Sequence, residues 1–244
     1  MSYPVKTITE DSTMAQAANL MGKHRVGSLI VTENDDPVGI VTERDLLNHV
    51  LTFGKDPAEV KVSQVMSKPL ITINHDATIK ETAKTMMKRK GRLAVMKGST
   101  LVGVVTASDL IKGIPETPDT EVQPLRYGSK LVETADKGVS VAKIVRIMGE
   151  KRIGSVVITS EGKPMGIFTE RDLLTILMAE EKPLSMPVGD VTSSPLIVTD
   201  VDVNVFEAAS IMTTNRIKRL PLIDENEELK GIITARDLVE AYSK

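Results

Sequence analysis

The stretch Gly39-Ile-Val-Thr42-Glu-Arg-Asp45 recurs along the chain in slightly altered form. The further copies are Gly103-Val-Val-Thr106-Ala-Ser-Asp109, Gly166-Ile-Phe-Thr169-Glu-Arg-Asp172 and Gly231-Ile-Ile-Thr234-Ala-Arg-Asp237. Their first glycines are 64, 63 and 65 residues apart. An internal period of this length indicates that one structural unit has been used four times.

The four units fall into two kinds. The first and third match closely at a shift of 127 residues, as in Met21/Met148, Arg25/Arg152 and the shared Thr-Glu-Arg-Asp-Leu-Leu. The second and fourth share other features, among them Ser-x-Pro-Leu-Ile, Arg-Leu and Thr-Ala-x-Asp-Leu. The chain therefore consists of two copies of a two-unit module.

The domain boundaries follow from this repeat. The sequence predicts repeats at residues 1–60, 61–113, 127–185 and 186–244, with the proline-rich stretch 114–126 as the linker between the two modules. A unit of about sixty residues buries too little surface alone. We therefore expect two units to pair through a sheet face and two helix stripes.

Composition limits the classes of function. The 244 residues are 41% hydrophobic and 26% charged, typical of a globular chain, and they include no cysteine for disulfides or thiolate chemistry. No apolar run approaches the ~20 residues that cross a bilayer, and residues 1–6 lack a signal-peptide pattern, so we expect a cytoplasmic protein with no membrane partner. A net charge of −2 and 2% aromatic residues argue against nucleic acid as a partner.

Each unit reads as strand, helix, strand, strand, helix. In the first, Thr13 and Gln16 form a capping-box pattern before a helix that ends near Gly22. A buried strand at 28–31, a turn at 33–37 and a returning strand at 38–41 follow, and a second helix begins at Thr42. The fold class is therefore α+β, with a β-α-β-β-α order in each repeat.

The repeated motif carries the candidate chemistry. Its glycine allows backbone or ligand to approach closely, and Thr42 can cap a helix whose first N–H groups suit phosphate. Asp45 can accept two hydrogen bonds from a ribose diol, and Arg44 can bind phosphate oxygens. The equivalent candidates are Thr106, Asp109, Thr169, Arg171, Asp172, Thr234, Arg236 and Asp237. The alternative reading of Thr-x-x-Asp is a helix cap that needs no ligand.

These residues resemble CBS domains. Four units ending in Gly-h-h-Thr-x-x-Asp (h for an apolar residue), preceded by strands such as Gly-Ser-Leu-Ile-Val or Arg-Leu-Pro-Leu-Ile, cover nearly the whole chain. The layout is similar to the gamma regulatory subunit of AMP-activated protein kinase. The resemblance implies a disc-like assembly of two tandem pairs, with AMP, ADP or ATP bound as regulatory ligands in clefts between repeats and no cofactor required.

The resemblance also implies further site residues. Small residues would line an adenine pocket at Gly27, Ser28, Gly154 and Ser155. Cations would reach phosphate from Arg92 and Arg219, and Lys218 stands where the kinase subunit has a histidine. Ile71 and Ile197 would cover the base, or are simply core. Ser108 replaces arginine in the second copy, which predicts weaker or different occupancy there.

Nothing in the sequence indicates catalysis or a metal site. His24, His49 and His75 lack metal-ligand spacing, and no Walker-type phosphate loop is present. We therefore expect a non-enzymatic sensor that transmits ligand occupancy to a regulated protein partner. A structural adaptor with vestigial clefts, a sensor of S-adenosylmethionine or another adenosyl ligand, and an unrecognised nucleotide enzyme are the alternatives. The sequence leaves a monomeric disc and a homodimer both open.

Overall fold

The structure, a computed structural model, describes residues 1, 3–89, 91–117, 122–175 and 183–244. Residues 118–121 of the expected linker and 176–182 of the third repeat lie outside the described residues. Each repeat contains a sheet of three strands and two α-helices, which confirms the expected α+β class and the β-α-β-β-α order.

The strands and helices follow the same order in every repeat. Within the described residues the strands are β1 Thr7–Thr9, β2 Ser28–Glu33, β3 Asp36–Thr42, β4 Thr72–Asn74, β5 Leu93–Lys97, β6 Thr100–Val105, β7 Thr134–Asp136, β8 Ser155–Ser160, β9 Lys163–Thr169, β10 Thr199–Asp200, β11 Arg219–Ile223 and β12 Leu229–Thr234. The α-helices are α1 Met14–His24, α2 Glu43–His49, α3 Ile79–Arg89, α4 Ala107–Leu110, α5 Val141–Glu150, α6 Glu170–Leu174, α7 Val205–Thr214 and α8 Ala235–Ser243.

Each sheet combines one parallel and one antiparallel pairing. In the first repeat β1 runs parallel to β2, with α1 as the crossover, and β3 returns antiparallel to β2. The hairpin turns at Asn34 and Asp35, whose φ angles of 51° and 69° are the left-handed values that Asn and Asp tolerate best among residues with a side chain. The turn is therefore tighter than the stretch 33–37 indicated, and Asp36 and Pro37 already belong to β3.

The first helices begin where the capping residues predict. The Thr13 hydroxyl accepts a hydrogen bond from the Gln16 amide, while the Gln16 side chain accepts one from the Thr13 amide. Asn204 and Glu207 form the same reciprocal pair at α7. These bonds satisfy helix amides that would otherwise lack partners. Helix α1 extends two residues past Gly22 and is closed by Arg25 in the left-handed conformation.

The chain divides into two structural units, each built from repeats of one kind. The odd unit comprises residues 6–70 and 133–196, and therefore holds the first and third repeats. The even unit comprises residues 1–5, 71–132 and 197–244, and holds the second and fourth. Within each unit, the apolar helix faces of one repeat pack against those of the repeat two positions along the chain. The sequence instead predicts pairing between consecutive repeats.

Each unit has its own apolar core. In the odd unit, buried residues of α1 and α2 cluster with Leu174, while Leu47 joins the cluster around α5 and Phe168. In the even unit a single cluster includes buried residues of α3, α7 and α8. Side chains from two repeats therefore close each core, which a repeat of about sixty residues lacks the surface to do alone.

The lead-in segments before the second, third and fourth repeats, which contain Ser67, Ser129 and Ser193, each pair with the last strand of another repeat. Ser67 and Ile40 exchange backbone hydrogen bonds at 2.9 and 3.0 Å, as do Ser193 and Ile167 at 3.1 and 3.0 Å. In the even unit Ser129 exchanges bonds with Ile232. The described end of the linker also packs in this unit, where Pro124 is buried.

Candidate functional site

The motif lies at the junction between the last strand and the last helix of each repeat. In all four copies the aspartate Oδ2 accepts a 2.7 Å hydrogen bond from the threonine hydroxyl. The same oxygen accepts the threonine backbone N–H at 2.7 to 3.0 Å. One carboxylate oxygen of each aspartate is therefore fixed by the cap, which leaves Oδ1 as the atom that can serve another role.

The surroundings of Oδ1 differ between copies. Ser193 donates a hydrogen bond to Asp172 Oδ1 at 2.9 Å. The amino nitrogen of Met1 lies 3.3 Å from Asp109 Oδ1, and the Lys112 Nζ lies 3.9 Å from the same atom. In these two repeats the protein's own groups contact the oxygen that a ligand would need.

Asp237 is the most informative of the four aspartates. Burial raises the pKa of its carboxyl above the usual value, against the opposing effects of the Thr234 hydrogen bonds and of Arg236. A carboxylate that has lost solvent in this way gains more than an exposed one from an added hydrogen-bond donor. Arg236, directly before it, is exposed.

The glycine of the motif makes room for protein backbone. An added Cβ at Gly39 would lie 2.8 Å from the Ser67 carbonyl oxygen, and one at Gly231 would lie 3.0 Å from that of Ser129. At Gly103 the close neighbour is the Met1 sulfur, at 2.6 Å. The glycine therefore allows the lead-in segment to cross the strand, and close approach of a ligand is not needed to explain it.

The arginines before Asp45 and Asp172 form reciprocal ion pairs. Arg44 Nε donates to Glu170 Oε1 at 2.9 Å, and Arg171 Nε lies 4.0 Å from Glu43 Oε1. The glutamates are only 6% and 7% exposed. The charge of Glu170 raises the pKa of Arg44 further above its already high usual value. Both arginines, predicted to bind phosphate, thus already hold a carboxylate of the other repeat.

The start of the middle strand lies beside the capping threonine. Ser28 is paired with Thr42 in the antiparallel ladder, and Arg219 with Thr234. Ser155 and Thr169 form the same pair in the third repeat. The predicted residues of the odd and fourth repeats are therefore brought together at this end of the sheet.

The neighbouring positions follow the same register. The carbonyls of Gly27, Gly154 and Lys218 accept a hydrogen bond from the first residue of the following helix in their own repeats. Arg92 precedes Leu93, which pairs with Val105, the residue before Thr106. It therefore occupies in the second repeat the position that Arg219 has in the fourth.

Two further predicted residues precede the first strands of the even repeats. Ile71 and Ile197 are half-buried and pack against the core of the even unit. The Ile71 carbonyl accepts the Ala94 amide at 2.9 Å, so its backbone continues the β4–β5 pairing. These contacts fit a core position, and a role in covering the base stays a prediction.

Sequence reasoning missed the buried glutamates and the serines of the lead-in segments. Glu43 and Glu170 stand directly before the motif arginines in the odd repeats, where the even repeats have Ala107 and Ala235. That difference between odd and even repeats could have indicated a special role for the two glutamates. Ser193 gave no comparable signal, because its contact with Asp172 depends on a strand crossing that the period does not reveal.

The raised pKa of Asp237 leads to a prediction about stability. A carboxyl with a raised pKa in the folded state contributes stability when protonated, and this contribution is lost as the pH rises through that pKa. Between about pH 3 and pH 7, the free energy of unfolding of Asp237→Asn should therefore increase relative to wild type. Urea unfolding of the full chain at a series of pH values measures the difference.

Asp224 provides a control of opposite sign. Hydrogen bonds from Lys230 and neighbouring amides lower the pKa of Asp224, so the stability it contributes is lost as the pH falls. Asp224→Asn should therefore lose stability relative to wild type over the same rise in pH. If the free energy of unfolding relative to wild type changed with pH in the same direction for both variants, burial would not be what sets the pKa of Asp237.

Two features are absent from the described residues. No helix there is long and apolar enough to cross a membrane. The part of the chain that the structure describes also holds no group of three or more His, Cys, Asp or Glu side chains placed to bind a metal ion.

Comparison with known proteins gives a family match over most of the chain. A family model described as CBS domain matches residues 1–52, 62–116, 129–179 and 188–244. The uncharacterized protein MK0525 of Methanopyrus kandleri is 39% identical over 114 residues, which are 46% of this chain and 58% of that relative. The uncharacterized protein MJ1225 of Methanocaldococcus jannaschii is 24% identical over 268 residues, which are 98% of this chain and 95% of the relative. The chain thus spans just over half of the first relative and nearly all of the second.

The solved structure of MJ1225 has the same fold. The crystal structure of MJ1225, presented as a proposed archaeal homolog of g-AMPK, covers 99% of this chain and 97% of its own, with a TM-score of 0.81 and 22% identity. The CBS domain pair of the protein MJ0100, solved in complex with 5′-methylthioadenosine and S-adenosyl-L-methionine, covers 50% of this chain with a TM-score of 0.45 and 24% identity. At these identities the likeness to MJ1225 concerns the fold.

Proposed function

The chain belongs to the CBS-domain family, and on this premise we propose that it is a non-catalytic regulatory protein that binds adenine nucleotides at the Thr-x-x-Asp motifs of its repeats. AMP, ADP and ATP are the ligands proposed, and occupancy is transmitted to a protein partner. Ligand binding can act in this way only if two conformations of the protein bind the nucleotide with different affinity.

The surroundings of Asp237 are the observation that carries the proposal. Its Oδ2 is fixed by Thr234, while burial makes the charged carboxylate costly without a further donor. The two hydroxyls of a ribose are donors of the right kind, because an ionised carboxylate only accepts hydrogen bonds. Arg236 and Arg219 place positive charge near the same end of the strand, where a phosphate would follow the ribose.

A structural adaptor is the second candidate, and two specific contacts favour it. Ser193 occupies Asp172 Oδ1, and Met1 lies against Asp109 Oδ1. In this reading the motifs are helix caps, each stabilising its helix by about 1 kcal/mol. The adaptor predicts that no adenosyl compound stabilises the protein.

A thermal-shift panel separates the two candidates. Ligands that bind the folded chain at 100 times their Kd add about 2.7 kcal/mol to the free energy of unfolding, which raises Tm by several degrees. The panel contains AMP, ADP, ATP, S-adenosylmethionine and 5′-methylthioadenosine, with GMP as the control for the base. We expect at least one adenine nucleotide, and not GMP, to raise Tm.

The same panel tests the other parts of the proposal. If no adenosyl compound shifts Tm at millimolar concentration, the sensor proposal fails and the adaptor stands. Chromatography of the nucleotides after incubation with the protein tests the non-catalytic part, since turnover of any of them would contradict it.

A further inference from the structure

Three repeats offer a matched comparison of one arginine. Arg44, Arg171 and Arg236 occupy the same motif position, directly before the aspartate. The residue before the arginine is glutamate in the first and third repeats and alanine in the fourth. The three arginines therefore differ in whether a glutamate or an alanine stands directly before them.

In the odd unit that cation is already neutralised. Glu170 bonds Arg44, and Glu43 faces Arg171 within ion-pair distance. Because both glutamates are buried, solvent screens their charge poorly, and an incoming anion meets them as well as the arginines. With Asp45 and Asp172 counted, these two motifs carry four acidic and two basic side chains.

The fourth repeat lacks the glutamate of the odd repeats. Ala235 replaces the glutamate, Arg236 is exposed, and no ion pair of Arg236 occurs among the described residues. Lys218 and Arg219 stand at the start of β11, where the odd repeats have Gly-Ser. Among the described residues, Arg236 therefore has no buried glutamate beside it like those that pair with Arg44 and Arg171, and the acid that acts on Asp237 is Glu240.

We propose that the repeats select adenosyl ligands by charge. The fourth repeat takes phosphorylated adenosine compounds, whereas the first and third take adenosyl compounds that carry no phosphate. In the third repeat the ribose displaces Ser193 from Asp172 Oδ1. Glu43 and Glu170 determine this selectivity by repelling phosphate, so discrimination comes from an unfavourable contact with the wrong ligand. This inference rests on the proposed function and assigns a ligand class to the first, third and fourth repeats.

The first test uses calorimetry on the full chain with adenosine and AMP as probes. Asp109→Ala/Asp237→Ala leaves the odd repeats intact and should bind adenosine at least about tenfold more tightly than AMP, since one charge about 10 Å from a phosphate changes affinity by that order. Asp45→Asn/Asp172→Asn should keep the AMP binding of wild type. Equal affinity of the first variant for both probes would overturn the inference.

The second test removes the negative charges of Glu43 and Glu170 while keeping the volume of their side chains. In Glu43→Gln/Glu170→Gln the amide oxygens still accept hydrogen bonds from the arginines, while the two negative charges are gone. We expect the odd repeats to gain about tenfold in AMP affinity, seen as additional AMP sites on the full chain, with adenosine affinity unchanged. The matched control is Glu59→Gln/Glu161→Gln, which removes one exposed charge from each odd repeat and should leave AMP binding as in wild type.

The outcomes also separate this inference from the proposed function. If wild type binds neither adenosine nor AMP, the proposed function fails. If wild type binds AMP but the Glu43→Gln/Glu170→Gln variant shows no new AMP sites, only the division by charge fails. Because glutamine has the shape of glutamate, the variant should fold, and its circular dichroism spectrum and Tm check this independently of binding.

Discussion

Replacing Asp237 with alanine is expected to lower the affinity of the fourth repeat for AMP about 100-fold. The ribose diol would lose two hydrogen bonds to a charged group, each worth about 1.5 kcal/mol, and 1.4 kcal/mol corresponds to a factor of ten. Isothermal titration of the full chain with AMP measures the change. Asp237→Asn, which keeps one acceptor but not the charge, should lose less.

A second variant separates ligand contact from helix capping. Asp237→Ala also removes the bond that Oδ2 accepts from the Thr234 amide, at a stability cost of about 1 kcal/mol. Glu207→Ala removes the equivalent bond from the Asn204 amide at α7, outside the motif. It should lose similar stability with unchanged AMP affinity. An Asp237→Ala protein that binds AMP like wild type would show that the aspartate is only a cap.

Introducing a single methyl group at Gly166 should destabilise the odd unit by about 3 kcal/mol. The new Cβ would lie 2.6 Å from the Ser193 carbonyl oxygen and would also collide with the Thr192 methyl group. The carbonyl is part of the bonded crossing between Ser193 and Ile167, so it cannot move away without breaking hydrogen bonds. Urea unfolding of Gly166→Ala measures the loss.

Gly91→Ala is the control for the substitution itself. At Gly91 the nearest atom to an added Cβ is the Arg89 carbonyl oxygen at 3.9 Å, an ordinary contact distance. This variant should change the free energy of unfolding by less than about 0.5 kcal/mol. Equal stability of the Gly166→Ala and Gly91→Ala proteins would mean that the segment at Ser193 can move away from β9 at little cost.

Local features of the fold could be predicted from sequence because their causes are local. Thr13 and Gln16 lie three residues apart, the spacing at which their side chains reach each other's amides. The same spacing places Thr42 and Asp45 in contact at each last helix. Four copies of such signals in register are enough to define the order of strands and helices.

The partner of each repeat could not be predicted, because it depends on tertiary packing. Arg44 and Glu170 are 126 residues apart, and neither carries a mark that identifies the other. The period shows that units are alike and says nothing about which unit covers which apolar stripe. For the same reason the occupation of Asp172 Oδ1 by Ser193 became visible only in the folded chain.

The crossing of β3 by Ser67 limits how this protein can be dissected. In the sheet order β1-β2-β3, β3 is an edge strand, and the bridge from Ser67 to Ile40 covers part of that edge. A fragment cut at residue 60 would leave these backbone groups unpaired and open to pairing with other copies. We therefore expect a fragment that ends after Leu70, and keeps this segment, to aggregate less than one that ends at residue 60.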